Sequence, residues 1–348
     1  MKRTDFSKIL LTWYRENGRI LPWREDSDPY KIWISEIILQ QTRVAQGLSY
    51  YLRFMERFPD VQTLAAADEA EVLKYWEGLG YYSRARNLHQ AARQIAELGA
   101  FPDSYEEIRK LKGVGDYTAA AIASFAFGLP HAVVDGNVYR VLSRFLGLDV
   151  PIDITAGKKL FAQKAHELFD AARAADYNQA IMDFGALQCV PKNPDCAGCP
   201  LAAACMAYKT GCVEDLPVKQ GRQTVRPRFF TFIYIEHQGR LAFWRRPSGD
   251  IWEGLCQPLL LEWEGALPDT EALQARLSGL LHVPSALLQP LARPVRQRLS
   301  HQLLHASFYG LPLPDAPDPA CLPAGVFWVE RDEIGQLAFP KMLAALKL

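Results

Sequence analysis

The chain has 348 residues, more than one typical domain, and its 49% hydrophobic and 22% charged residues are ordinary for a globular protein. This composition excludes a disordered or fibrous chain, and no apolar run approaches the about eighteen residues that a membrane-spanning helix requires. Lysine plus arginine number 39, as do aspartate plus glutamate, so a nucleic-acid partner would have to be bound by local basic patches.

The first 212 residues of the chain have a helical pattern of apolar residues. The first apolar run, Ile9–Leu11, soon meets Arg15 and Glu16, which is typical of an amphipathic helix and not of a signal peptide. We therefore expect a cytoplasmic protein that does not enter a membrane. From residue 5 to about 212, apolar residues recur at three- and four-residue steps, which predicts an all-α domain over residues 1–212.

Glu36 is the first candidate catalytic residue along the chain. It lies inside the apolar run Trp33–Leu39, where burial would raise its pKa and keep the carboxyl protonated. A solvated surface glutamate is the alternative on the sequence alone.

Residues 111–119, LKGVGDYTA, predict a helix, a tight turn and a second helix, within an element that we place at 111–128. Gly113 and Gly115 permit a turn with bare backbone N–H groups, and the following helix adds its positive N-terminal end. Together they form a candidate site for one backbone phosphate. A Gly-x-Gly pair also occurs in simple tight turns, so that alternative stays open.

Asp135 is a lone acid in a glycine-containing apolar turn that leads into a helix. An N-cap is the ordinary role for such an aspartate, and it is compatible with a catalytic one.

Four cysteines have the spacing of metal ligands. Cys189, Cys196, Cys199 and Cys205 give C-x6-C-x2-C-x5-C, in which the C-x2-C pair is a frequent bidentate clip. Disulfides are disfavoured in a reducing cytoplasm. Structural zinc and an iron–sulfur cluster both remain open on the spacing.

The composition changes after Cys212. Residues 213–227 contain proline and glycine without a helical period, which predicts a linker to a second domain at 228–348. Phe229–Glu236 alternates and is rich in aromatic and β-branched residues, and Gly239 turns the chain into Leu241–Trp244, which predicts a β-hairpin. Further strands are predicted at Leu255–Trp263, Leu303–Tyr309 and Val326–Val329, with a helix at Leu273–Leu281. The second domain is therefore expected to be α+β.

Three motifs occur together in the order found in one family. They are WISEIILQQT at 33–42, GLGYYSRARNL at 78–88 and DGNV at 135–138, followed by the four cysteines. With them the chain closely resembles the MutY family of adenine DNA glycosylases, within the endonuclease III or helix-hairpin-helix superfamily. The resemblance implies a monomeric enzyme of base excision repair that flips and excises adenine opposite 8-oxoguanine or guanine in duplex DNA. It also implies one [4Fe-4S] cluster on the four cysteines and an association with the bacterial nucleoid.

The resemblance implies a role for each matching residue. Glu36 is the general acid toward adenine N7 and later acts on the water, and Asp135 faces the sugar as an electrostatic partner or a transient nucleophile. Tyr117 lies near the nucleophile, and Asn137 orients Asp135 and water. Trp23, Arg24 and Gln179 match the adenine pocket. Residues matching contacts to the lesion or DNA are Gln41, Thr42, Leu79, Tyr81, Gly113, Gly115, Ser300 and His301, with Arg84 and Arg86 as a local basic patch.

Tyr117 decides the subclass. Bifunctional members have a lysine there that forms a Schiff base with the sugar, which tyrosine cannot do. The expectation is thus a monofunctional glycosylase. An endonuclease III-like glycosylase/lyase for oxidised pyrimidines is the alternative. A silent helix-hairpin-helix DNA-binding or zinc-stabilised interaction protein is disfavoured because both Glu36 and Asp135 are present.

The C-terminal domain resembles a Nudix fold through its hairpin and the segment after Arg245. No REx2EE-type helix for magnesium follows Trp252, so we expect a lesion-recognition module and not a pyrophosphatase. The family's Phe-Ser-His motif reads Leu299-Ser300-His301 here. Ser300 keeps its hydrogen-bonding hydroxyl, whereas the aromatic contact is lost, and a strand-capping loop serine is the alternative.

Overall fold

The computed structural model describes residues 3–221, 224–281, 288–315, 317 and 319–344. The chain divides into two compact units. Unit 1 comprises Met1–Ala66 and Asn87–Gly221, and unit 2 comprises Ala67–Arg86 and Arg222–Leu348. Arg222 and Gln223 of the predicted linker, and residues 345–348 of the predicted second domain, lie outside the described residues.

Residues 3–212 form helices joined by short loops, as predicted. The helices are α1 Arg3–Asn17, α2 Pro29–Leu39, α3 Val44–Arg57, α4 Val61–Ala66, α5 Glu69–Tyr75, α6 Ser83–Leu98, α7 Tyr105–Lys110, α8 Asp116–Phe127, α9 Gly136–Leu146, α10 Thr155–Leu168, α11 Ala174–Leu187 and α12 Met206–Thr210. Apolar side chains of α1, α8, α9, α10 and α11 form the core of unit 1, with Phe6, Phe161 and Phe184 almost fully buried. Because α2 packs against both α3 and α8, nearly all of its side chains are buried.

The helix-hairpin-helix element begins earlier than predicted. Its first helix, α7, starts where the Ser104 side chain accepts the Glu107 N–H and ends at Lys110. Leu111 already has extended backbone, so the range 111–128 contains the turn and α8 but not the first helix. Gly113 has φ +77, a left-handed conformation that glycine adopts without steric cost.

Unit 2 contains a mixed seven-stranded sheet. Its strands are β1 Arg226–His237, β2 Arg240–Arg245, β3 Cys256–Gln257, β4 Leu259–Trp263, β5 Gln289–Arg298, β6 Gln302–Pro312 and β7 Phe327–Glu330. The order along the sheet is β3-β2-β1-β6-β5, with β4 on β1 and β7 on β2; among the strands that the structure describes, β1 and β6 are the only parallel pair. The helices α13 Thr270–Leu281 and α14 Lys341–Ala344 also belong to this unit. This confirms the predicted α+β class.

Three details of the sheet differ from the prediction. The single strand predicted at Leu255–Trp263 is two strands, because β3 pairs with β2 whereas β4 pairs with β1. Phe230–Ile235 is buried without interruption and does not alternate, because β1 is a central strand covered on both faces. β5 was missed, since Pro290 and Pro294 are unfavourable in strands and its side chains are mostly exposed.

The boundary between the units also differs in position from the predicted linker. Residues up to Gly221 pack on unit 1: the Ile152 N–H donates to Val218 O, and Asp153 accepts the N–H groups of Gln220 and Gly221. At the other end, Arg226 already belongs to β1. Unit 2 in addition contains Ala67–Arg86, whose Glu77 accepts the Phe339 N–H.

Among the residues that the structure describes, none of the helices is both long and apolar enough to span a bilayer.

Candidate active site

A cavity of about 900 Å³ in unit 1 brings together residues from α2, α8, α9 and α11. Its size lies within the range of small-molecule sites, roughly 300–1,000 Å³. Nine residues that the sequence singled out line it: Trp23, Arg24, Glu36, Gln41, Thr42, Tyr117, Asp135, Asn137 and Gln179.

Glu36 is a buried carboxyl with one specific partner. It lies on the buried helix α2, its residue surface is 7% exposed, and its Oε2 accepts a hydrogen bond of 2.8 Å from the Tyr117 hydroxyl. Burial raises the pKa of Glu36 to about 7, although the Tyr117 hydrogen bond and the Arg24 charge act in the opposite direction. The carboxyl is therefore able both to hold and to release a proton near neutral pH.

Tyr117 is held in its neutral form. Burial, followed by the negative charges of Glu36 and Asp135, raises its pKa well above the ordinary value for a phenol. It therefore acts as a hydrogen-bond donor to Glu36 and not as a base.

Asp135 caps α9 and accepts three hydrogen bonds. Its Oδ1 accepts the backbone N–H groups of Asn137 and Val138, both at 2.8 Å, and its Oδ2 accepts the Asn137 side-chain amide at 2.9 Å. Burial outweighs these three donors and leaves the pKa of Asp135 raised from its ordinary value, although the donors act to lower it because they stabilise the carboxylate. Asp135 is thus an N-cap, and this geometry is compatible with the predicted catalytic role.

Asn137 is itself fixed by Arg140. The Arg140 Nη2 donates to Asn137 Oδ1 at 2.9 Å, and its Nε donates to the Cys189 carbonyl at 2.7 Å. The side-chain amide of Asn137 therefore has a defined orientation, with its nitrogen toward Asp135.

The predicted adenine pocket depends on a carboxylate that the sequence analysis missed. Asp183 is fully buried, and it accepts hydrogen bonds from the Arg24 guanidinium at 2.9 and 3.0 Å as well as from Arg19. Burial by itself would raise the pKa of Asp183, but the bonds from Arg24 and Arg19 outweigh it and lower the pKa. Gln179 is oriented nearby by the Tyr14 hydroxyl, which donates to its Oε1 at 2.6 Å.

Gln41 and Thr42 follow the C-terminal end of α2. Gln41 is exposed and has φ +55, a left-handed conformation that is uncommon for a residue with a side chain. Such strain often occurs at functional sites, where the surrounding structure maintains it.

The hairpin turn has the form required for an anion site. Gly113 and Gly115 are exposed, Val114 is buried at 7%, and α8 begins directly after Gly115 with its unsatisfied N–H groups. The buried valine anchors the turn, whereas the two glycines leave the backbone accessible.

The four cysteines line one small cavity between the loop 189–205 and α9. The Arg144 guanidinium lies 3.5 Å from Cys189 Sγ, and Cys205 Sγ donates to the Arg144 carbonyl at 3.4 Å. Four thiols that line one cavity beside the buried Arg144 are the donor set of a thiolate-ligated cluster. Within the described part of the chain, no group of histidine, cysteine, aspartate or glutamate is close enough to hold a metal ion as it stands.

The remaining candidates lie in unit 2. A cavity of about 780 Å³ is lined by Leu79, Tyr81, Arg86, Ser300 and His301. The Tyr81 and Ser300 hydroxyls form a hydrogen bond, and Tyr81 has φ +48 with 46% of its surface exposed. Ser300 belongs to the turn between β5 and β6, where the Leu299 N–H donates to the Gln302 carbonyl.

Arg84 and Arg86 do not form the open basic patch that was expected. Arg86 forms an ion pair with Glu253 at 3.0 Å, and it also donates to the Glu253 carbonyl at 2.7 Å. Arg84 lies over the Trp76 ring, and burial lowers its pKa to about 10. Both guanidinium groups are thus used within unit 2.

Comparisons with known proteins agree with this arrangement. The HhH-GPD superfamily base excision DNA repair protein profile matches residues 34–171, and the NUDIX domain profile matches residues 230–347. The adenine DNA glycosylase of Buchnera aphidicola subsp. Baizongia pistaciae is 37% identical over 258 residues, which cover 73% of this chain and 73% of that protein. The Homo sapiens adenine DNA glycosylase is 33% identical over 388 residues, covering 95% of this chain and 71% of that protein. The chain belongs to the adenine DNA glycosylase family.

A solved structure of a thermostable thymine-DNA glycosylase aligns with a TM-score of 0.56 at 31% identity, over 60% of this chain and 97% of that one. A non-covalent endonuclease III–DNA complex aligns with a TM-score of 0.51 at 21% identity, over 61% of this chain and 98% of that one, and it shows the fold alone. The family membership, the helix-hairpin-helix fold and the Nudix-like fold predicted from the sequence are confirmed. As a member of this family, the chain is a DNA glycosylase of base excision repair.

Sequence reasoning missed the buried carboxylate of Asp183, although the sequence contains a pattern that indicates it. Asp183 is a lone acid in the apolar helical run Ile181–Phe184, the same pattern that drew attention to Glu36. No such pattern marks Arg140, because arginines within helical sequences are common on exposed helix faces.

Proposed function

We propose that the chain is a monofunctional glycosylase that excises adenine opposite 8-oxoguanine or guanine in duplex DNA. The observation that carries this proposal is the buried pair of Glu36 and Tyr117, beside Asp135, in a cavity large enough for a nucleobase. We propose adenine as the excised base because the related proteins are adenine DNA glycosylases, which include the Buchnera and human enzymes.

Glu36 supplies the proton that departure of adenine requires. It starts protonated, since burial raises its pKa to about 7, and donates to N7 of the flipped adenine. The C1′–N9 bond then breaks with its electron pair on the base. Glu36 is left as a carboxylate, which accepts a proton from the water that attacks C1′. One carboxyl therefore serves first as acid and then as base, as in other glycosidases.

Asp135 stabilises the positive charge that develops on the sugar. Three hydrogen-bond donors stabilise the ionised form of its carboxylate and fix its position, and Arg140 in turn fixes the amide of Asn137. This prearrangement avoids the cost of reorienting the charge during the reaction.

Arg24, Gln179 and Trp23 form the wall that holds adenine. The ion pair with Asp183 prevents Arg24 from moving toward Glu36, and Trp23, 5% exposed and in edge contact with Tyr51, provides a rigid apolar surface. Gln179 is limited to one orientation by Tyr14 and offers its amide nitrogen to the base.

The cavity of unit 2 binds the 8-oxoguanine that remains in the duplex. Ser300 and Tyr81 provide adjacent hydroxyls there, and Leu79 and His301 complete the wall, while Gln41 and Thr42 contact the helix at the extracted base. Leucine at position 299 leaves the hydroxyl of Ser300 to carry the discrimination. The turn at Gly113–Gly115 binds a backbone phosphate.

Cys189, Cys196, Cys199 and Cys205 would hold one [4Fe-4S] cluster. When bound, the cluster supplies a covalent link across the loop 189–205 and a redox-active centre. The residues of this chain neighbouring it are Arg144 and, through the Cys189 carbonyl, Arg140. We further propose that the enzyme is a cytoplasmic monomer associated with the nucleoid.

Single-turnover cleavage of a duplex with one adenine opposite 8-oxoguanine tests the function. We expect release of adenine and an intact abasic strand that breaks only after alkali. A duplex with thymine glycol opposite adenine is the matched control, and cleavage of that duplex in place of the first would favour the endonuclease III-like alternative.

A further inference from the structure

The charge of this chain is unevenly distributed in one region of unit 2. No acidic residue occurs between Glu271 and Asp315, although acidic and basic residues balance in the chain as a whole. Within this region, the strand β5 contains Arg293, Arg296 and Arg298. Local positive charge of this kind is what phosphate binding requires, irrespective of the net charge.

The three arginines are presented to solvent. All are exposed, and among the residues that the structure describes no side-chain ion pair joins any of them to an acid. Arg296 and Arg298 pair with His305 and Leu303 of β6 in an unbroken register, so the two side chains lie on one face of the sheet, about 7 Å apart along the strand. Arg293 lies in the irregular part of β5, between Ala292 and Val295, where an insertion in the ladder reorients side chains.

The strand β5 is unsuited to pairing with a β-strand of a second protein, which is a common way for an edge strand to bind a partner. β5 lies at the end of the sheet order, where its outer edge could in principle pair. However, Pro290 and Pro294 lack N–H donors, and the ladder shifts register twice between Pro290 and Val295. Prolines, bulges and charges are the features that prevent strand addition at an edge. A partner that binds charge and not backbone fits better.

β5 is also continuous with the lesion cavity. Arg298 lines that cavity, and the turn directly after it contains Ser300 and His301. A polyanion that enters the cavity through one of its nucleotides has further phosphates on either side of that nucleotide, where a row of arginines on the adjoining strand can contact them.

We propose that Arg293, Arg296 and Arg298 form a strip that binds the phosphate backbone of duplex DNA next to the cavity of unit 2. The inference rests on the proposed function, since it takes the strand carrying 8-oxoguanine as the occupant of that cavity. The strip contributes affinity without reading sequence, because phosphates are the same at every base pair.

The salt dependence of binding tests the strip. Full-length wild type and a triple variant, Arg293→Gln with Arg296→Gln and Arg298→Gln, are titrated with a short lesion-free duplex by fluorescence anisotropy at several KCl concentrations. Each lost phosphate contact lowers the magnitude of the slope of log K against log [KCl] by about 0.9, hence by about 2.7 for three. The ratio of the wild-type binding constant to that of the triple variant should therefore fall about 40-fold between 50 and 200 mM KCl.

Two further variants make the outcome decisive. Replacing the three arginines by lysine keeps the charges and should keep the slope, whereas Arg245→Gln, an exposed arginine on β2, should bind with the wild-type slope. If the glutamine variant melts early, Arg296→Gln alone should still lower the slope by about 0.9. Equal slopes for wild type and the glutamine variants would refute the proposal that these arginines bind phosphates.

Failure of the strip and failure of the proposed function are distinguishable. The slope is measured without turnover on lesion-free DNA. Wild type could therefore fail to excise adenine, which would refute the proposed function, while the slopes of wild type and the glutamine variants still differ. Conversely, equal slopes together with normal adenine excision by wild type would refute phosphate binding by the three arginines and would support the proposed function.

Discussion

Replacing Glu36 by glutamine should stabilise the protein at alkaline pH while it abolishes catalysis. Glutamine has nearly the same shape, its Oε1 can accept the Tyr117 hydrogen bond, and it carries no charge to bury. The wild-type carboxyl has an ordinary pKa of 4.5 and a folded-state pKa of about 7, so the folded protein binds more protons than the unfolded chain between these values. Wild-type stability therefore declines as the pH rises from about 4.5 to 7.

The size of the effect follows from the shift. Each pKa unit corresponds to about 1.4 kcal/mol, so burying the ionised carboxyl costs on the order of 3 kcal/mol above pH 7. About 2.5 kcal/mol of this develops between pH 5 and pH 8.5. For a unit of this size, roughly 2–4 °C of melting temperature corresponds to 1 kcal/mol. Relative to wild type, Glu36→Gln should thus gain roughly 5–10 °C more at pH 8.5 than at pH 5.

Thermal melts at the two pH values measure this difference. Glu97→Gln, which removes the same charge from an exposed position on α6, is the control and should show no comparable gain. In single-turnover assays with saturating enzyme, Glu36→Gln should lose at least 10²–10⁴-fold in excision rate, the usual contribution of proton transfer. The wild-type rate should fall about tenfold for each pH unit above 7. A variant destabilised equally at both pH values would refute a neutral buried Glu36.

Three other outcomes are expected. Wild type should leave an intact abasic strand and give little covalent complex with borohydride, whereas Tyr117→Lys should gain some of both; efficient trapping by wild type would show that the subclass is wrong. Purified protein should be brown with broad blue absorption, and Cys199→Ser should lose iron and colour; a colourless wild type with one zinc would contradict the cluster. Ser300→Ala should lower the preference for adenine opposite 8-oxoguanine over guanine by roughly 3–10-fold, the worth of one hydrogen bond, and an unchanged ratio of rates would exclude Ser300 from lesion recognition.

Local sequence determined much of this protein. The apolar run around Glu36 predicted a buried carboxyl because a helix with so few polar residues has no polar face to expose, and Glu36 is buried. The Gly-Val-Gly turn and the aspartate before a helix are patterns whose geometry is fixed within a few residues, and both have the conformation that the sequence indicated. The family was predicted in the same way from motifs that are contiguous in the chain, and the comparisons with known proteins confirm it.

Tertiary structure decided what depends on residues far apart in sequence. That Arg24 is fixed by Asp183, and that Arg86 is used by Glu253, follows from ion pairs between segments separated by more than 150 residues. The same holds for β5, which is a strand because β6 supplies its ladder, although its prolines and exposed side chains disfavour the assignment. Hydrogen bonds and ion pairs act over a few ångströms in space, whereas a sequence pattern reports only on neighbours along the chain; partnership between distant groups is therefore settled by the fold alone.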